Sequence, residues 1–137
     1  MPGVSLYDWL LFLHVAAAFS LVAGIVAYGV VILGGAGDVV RRVLAVPALA
    51  MWNAGGLGVL VLGIALAIDV DAYAVWDAWI LAAIVLWFVA SAAGGPLSRD
   101  VRDAQKPLDL AAGRARLAVM ALATLLLLVD MIFKPGA

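Results

Sequence analysis

The feature that most limits what this chain can become is where its charges are missing. Four long apolar blocks follow one another. Seven of the eight Lys and Arg residues fall in only two of the three gaps between them: Arg41 and Arg42 in the first, then Arg99, Arg102, Lys106, Arg114 and Arg116 in the third. The middle gap has no basic residue but three acids, Asp69, Asp71 and Asp77. A chain that crosses a bilayer four times acquires this alternation, because basic loops stay on the cytoplasmic side. A hydrophobic share of 68% with 12% charged residues rules out a water-soluble globule, since no fold of 137 residues has interior enough to hide it. The few basic residues are accounted for by topology, so no nucleic-acid partner is expected. Without Cys there are no disulfides, thiolate metal ligands or Cys nucleophiles.

Hydropathy places helices at about Leu6 to Leu33, Pro47 to Ile68, Ala78 to Ala93 and Leu117 to Phe133. The first block exceeds a signal-peptide core and reads as a retained helix. Pro47 suits a first helical position, where its missing N–H is not needed. Gly94, Gly95 and Pro96 read as the end of the third helix, Asp77 as its cap, and Leu108 to Ala112 as a short surface helix. The expected fold is all-α: a single-domain bundle of four transmembrane helices in the lipid bilayer, N-out and C-out, in a bacterial inner (plasma) membrane. Tyr7, Trp9, Tyr73, Trp76, Trp79 and Phe133 then sit near the outer boundary, where amphipathic rings settle, and Trp52 near the inner one.

Small residues let membrane helices approach closely. Ala16, Ser20, Gly24 and Ala27 form one stripe. Ala50, Ala54 and Gly58 form a second, continued by Gly63 and Ala67 and widened by Gly55 and Gly56. Packing within the bundle is the plain reading. A homodimer seam, contact with a larger membrane complex, or a wall for a planar cofactor is the sharper one.

Polar side chains inside a bilayer are costly and are functional candidates by default. His14 is the single histidine. It lies about two turns inside the outer end of the first helix, on the face of Tyr7, Leu10, Leu21 and Ile25, about a third of a turn from the small stripe. An imidazole there is a candidate haem or metal ligand, a proton relay, or a neutral interhelical hydrogen-bond partner. Asp130 is four residues before Lys134 and forms an acid–base pair with it on one helix face, or else is a carboxylate that orients or charges His14. Asn53 reads as interhelical glue or a turn-local hydrogen bond. Met51, Met120 and Met131 are soft copper ligands in principle, but they fall at different depths.

The run Leu6-Tyr7-Asp8-Trp9-Leu10-Leu11-Phe12-Leu13-His14-Val15-Ala16 resembles the "L-H-V-x-A" first helix of several small bacterial membrane families. With the closing Asp130-Met131-Ile132-Phe133-Lys134-Pro135, it is similar to an uncharacterised family of four-helix bacterial integral membrane proteins of unknown function. More distant resemblances are to the membrane domain of copper-resistance D-type proteins, implicated in copper uptake, and to the HemJ-type protoporphyrinogen oxidase. The HemJ type binds haem through a first-helix histidine, so this resemblance implies His14 as ligand and haem b as cofactor, with copper the less favoured alternative. The HemJ type also relies on a lysine after a later Trp-containing helix. Here Lys106 falls in the inner loop and Lys134 at the end. The expectation is a binding or accessory/assembly protein that holds haem through His14. The alternatives are a HemJ-like oxidoreductase and a copper or proton carrier.

Overall fold

The computed structural model describes residues 3–35, 37–70 and 74–135. Asp71 and Tyr73, read above as outer-loop residues, lie outside these. Among the described residues the secondary structure is helical: α1 (Leu6–Leu33), α2 (Asp38–Asp69), α3 (Ala78–Arg102) and α4 (Leu110–Phe133). All four helices are long and apolar enough to cross a membrane. Short connections make consecutive helices antiparallel. Leu6, Asp69, Ala78 and Phe133 therefore share one end of the bundle, here called the acidic end. Leu33, Asp38, Arg102 and Leu110 share the other, the basic end.

Helix α1 matches its hydropathy block. The other three run past theirs, and always at the basic end. Helix α2 begins at Asp38 and carries Pro47 in its interior, so Pro47 is not a first-turn residue. Helix α3 continues through Gly94, Gly95 and Pro96 to Arg102. Helix α4 absorbs the surface helix expected at Leu108 to Ala112 and starts at Leu110, where the Asp109 carboxylate accepts a hydrogen bond from Ala112 N. Hydropathy marks where lipid is, not where the helix stops. The 32 residues of α2 span about 48 Å against a hydrocarbon core of about 30 Å. At the acidic end the boundaries hold. Ser5 and Asp8 form a reciprocal capping box at the start of α1. Asp77 stands at the N-cap of α3 as expected, but its carboxylate accepts from Ala74 N at 3.1 Å rather than from the helix.

Contact is closest within the α1/α2 and α3/α4 hairpins; the hairpins meet more loosely, α2 against α3 and α1 against α4. Gly24 and Gly55 create the α1/α2 crossing. A Cβ on Gly24 would lie 2.8 Å from Trp52 N, and one on Gly55 would overlap the Leu21 backbone nitrogen. The stripe that packs on α2 is therefore Arg41, Ala45, Ala48, Trp52, Gly55 and Val59, all buried. Of the expected Ala50–Ala54–Gly58 line, Gly58 does pack on α1, where a Cβ would lie 2.7 Å from the Ala17 Cβ, whereas Ala50 and Ala54 lie on the other side of α2 and are exposed. Trp52 is a correction too: it is buried mid-helix with its indole flat on Gly94, and does not anchor the inner boundary. Gly94 thus makes room for an indole instead of stopping a helix.

At the basic end the buried Arg41 guanidinium acts as a staple. It donates to the carbonyls of Val101 at 3.0 Å, Lys106 at 3.0 Å and Asp100 at 2.6 Å, and to Asp103. These belong to the last turn of α3 and the segment after it, where carbonyls lack helical partners and the helix dipole attracts a cation. Arg116 pairs with Asp100 nearby.

Candidate functional site: a cleft at the acidic end

The packing is uneven along the bundle. The fully buried side chains Tyr28, Val31, Ile32, Leu97, Val101 and Met120 all lie toward the basic end. In α1 no residue before Leu21 is buried. The first half of α1 keeps contact with α2 but is not covered by α4. That opening is a cleft of about 590 Å³. Tyr7, Leu11, His14 and Ala18 form its α1 wall, and Leu128, Met131 and Lys134 its α4 wall. Gly63, Leu66 and Ala67 of α2 form the floor, with Trp79 of α3.

His14 enters this cleft because Gly63 lets it. A Cβ on Gly63 would lie 3.1 Å from His14 Cε1, so the ring sits against the bare α2 backbone. The imidazole Nδ1 is buried without a hydrogen-bond partner. The ring is half-buried and stands about 12 Å from the start of α1. The face that His14 shares with Tyr7 is therefore turned toward the bundle interior at this end.

Lys134 reaches the same cleft from the opposite wall. It adopts the left-handed conformation, φ 41°, and places Nζ 5.3 Å from the ring centroid of Trp79. A cation over an indole face is favourable, more so out of water. Trp79 is buried beneath it, unlike Trp9, Trp76, Tyr7 and Phe133, which are exposed as boundary residues should be. Asp130 does not line the cleft. It is buried, its Oδ2 has no hydrogen-bond partner, and no hydrogen bond among the described residues joins it to His14. Asn53 takes the turn-local option: Nδ2 donates to the Leu49 carbonyl at 3.0 Å. Met120 is fully buried and Met51 packs against the core, so only Met131 of the three sulfurs shares the cleft with His14. The described residues contain no group of three His, Cys, Asp or Glu spaced to hold a metal ion.

Sequence reasoning missed the roles of Trp79 and Lys134, because nothing local says that a chain-end lysine folds over a ring fifty-five positions earlier. It also missed Arg41, which looked equivalent to Arg42. The signal was present once α2 is extended: Arg41 continues the Ala45–Ala48–Trp52 face, and Arg42 does not. No protein-family model matches the chain, and neither does any curated protein or solved structure.

Proposed function

We propose that this chain is a membrane-embedded binding or accessory protein that takes an amphipathic, mainly apolar ligand into the acidic-end cleft, with haem b as the ligand held through His14. One observation carries the reading: the His14 imidazole and the Lys134 ammonium line a cleft of about 590 Å³ whose other walls are almost wholly apolar. Sites for small molecules and cofactors have this size and this pattern of a few polar groups in an apolar lining. The donor set suits haem. His14 would hold the iron through its imidazole, Lys134 would offer a positive charge to a propionate, and the Leu and Ala walls would contact the macrocycle. Bound haem supplies one-electron chemistry. The residues of this chain bind and orient it, and the surrounding apolar helices limit water. By the positive-inside bias, the cleft opens at the outer face of a bacterial inner membrane, with both termini on that side.

The test is the absorbance spectrum of the purified protein before and after haem addition. A Soret band that is lost in His14→Ala and kept in Asn53→Ala supports the reading. A protein that stays colourless after haem titration overturns it.

A haem-dependent oxidoreductase is the second reading, favoured by Lys134 reaching the cleft of His14 from another helix. Porphyrinogen oxidation by the haem-loaded protein that falls in Lys134→Gln, with the Soret band unchanged, would support it. Haem binding without turnover would leave the accessory role.

A further inference from the structure

A second cavity, of about 250 Å³, lies between α2 and α3, deeper in the bilayer and nearer the basic end. Its lining differs in kind from that of the first. It contains no Asp, Glu, Lys, Arg or His. It is lined instead by Trp52 and Trp87 and by the hydroxyl residues Ser91, Ser98 and Thr124. A cavity with neutral donors and no charge selects a neutral ligand, since nothing in it would compensate an ion out of water.

Some of those polar groups are already committed. Trp87 Nε1 donates to the Gly56 carbonyl at 2.7 Å, and Ser98 Oγ to the Gly95 carbonyl at 2.8 Å. Thr124 is not committed. It is 3% exposed and its Oγ1 has no partner. A buried donor without an acceptor is costly in low dielectric. An acceptor held in the cavity that Thr124 lines would supply the partner its hydroxyl lacks. Two indoles bound the space, which favours a planar ring. On the lipid side, Leu57 and Asn53 line the cavity and are themselves exposed, so the space opens sideways into the bilayer between two loosely joined hairpins. A bound ring can therefore keep an apolar tail in lipid. The volume is less than half that of the His14 cleft and suits a single substituted ring.

We infer that the α2/α3 cavity binds the head ring of a neutral, membrane-dissolved carbonyl compound of the quinone type, its carbonyl accepting a hydrogen bond from Thr124 and its tail leaving past Leu57. This site is independent of any ligand at His14.

The test is photolabelling of the full-length protein in phosphatidylcholine nanodiscs with an azidoquinone, mapped by peptide mass spectrometry. The expected result is saturable labelling of the α2 and α3 segments around Trp52 and Trp87, displaced by decylubiquinone. Thr124→Val should raise the concentration for half-maximal labelling about tenfold. Thr124→Ser should restore it to within about twofold, because the hydroxyl returns. His14→Ala should leave it unchanged. Far-UV circular dichroism and the melting profile of Thr124→Val verify that it folds. Labelling that does not saturate, or that spreads over the lipid-facing residues of all four helices, would mean that the cavity holds only water, and would overturn the inference. An unchanged half-maximum in folded Thr124→Val would overturn it as well.

Discussion

Replacing Arg41 with Met separates two roles that a membrane arginine can have. Arg41 and Arg42 are neighbours with the same charge, so topology treats them alike. The structure does not: Arg41 is buried with four carbonyl acceptors, while Arg42 is exposed. A hydrogen bond from a charged group contributes about 1.5–3 kcal/mol, so four would total about 6–12 kcal/mol if they added. They do not add. Removing the guanidinium also removes its desolvation cost, and the Lys106 and Asp103 carbonyls, near the membrane surface, regain water. Breaking one side of a buried charged arrangement typically costs about 3–5 kcal/mol, and that is the expected loss for Arg41→Met. Arg41→Lys keeps the charge but lacks the planar fork, and should lose about half as much. Arg42→Met removes the same charge with no staple and should stay within about 0.5 kcal/mol of wild type. Titration of folded, detergent-solubilised protein with SDS, followed by far-UV circular dichroism, measures all three. Hydrogen exchange should rise first at Asp103 to Lys106 in Arg41→Met. Equal unfolding midpoints for Arg41→Met and Arg42→Met would refute the staple and reduce Arg41 to a topology signal.

Gly55→Ala should destabilise the α1/α2 hairpin by about 3 kcal/mol, because its Cβ meets backbone atoms of Leu21 that cannot move aside; lipid-facing Ala54→Leu should have little effect in the same SDS titration. Trp87→Phe removes the 2.7 Å hydrogen bond to Gly56 that joins the two hairpins, and should cost about 1 kcal/mol with a lower melting temperature. A C-terminal alkaline phosphatase fusion should be active and a C-terminal fluorescent-protein fusion dark; the reverse pattern would reject the outward placement of the acidic end. Gly63→Val should push the His14 ring from the α2 backbone and abolish any His14-dependent Soret band while leaving the helix content unchanged.

The helix number and their acidic-end boundaries were legible because lipid imposes them. A block of about 20 apolar residues must form a helix there, since no water is available for its backbone. The basic-end boundaries of α2, α3 and α4 were not legible, because Asp38 to Val46, Pro96 to Arg102 and Leu110 to Arg116 stay helical beyond the apolar blocks. Past the lipid, composition no longer distinguishes helix from loop. Gly94 and Pro47 misled for a related reason. In soluble chains they punctuate; here Gly94 yields space to Trp52, and Pro47 is carried inside a helix held by its neighbours.

His14 illustrates the division most directly. The sequence alone determined that an imidazole lies about 12 Å inside an apolar helix, at the end of the bundle that lacks basic loops. Charge distribution and helical rise suffice for that, since both act along one chain. Which way the ring faces, and what it faces, required the neighbours. Gly63 had to leave room for it, α4 had to stay clear of the first half of α1, and Lys134 had to fold over Trp79. The same holds for Arg41 and for Thr124. In a membrane nearly every residue is apolar, so hydrophobic pattern distinguishes lipid from water but hardly one helix face from another. Close packing between helices makes that second distinction, and only the tertiary structure records it.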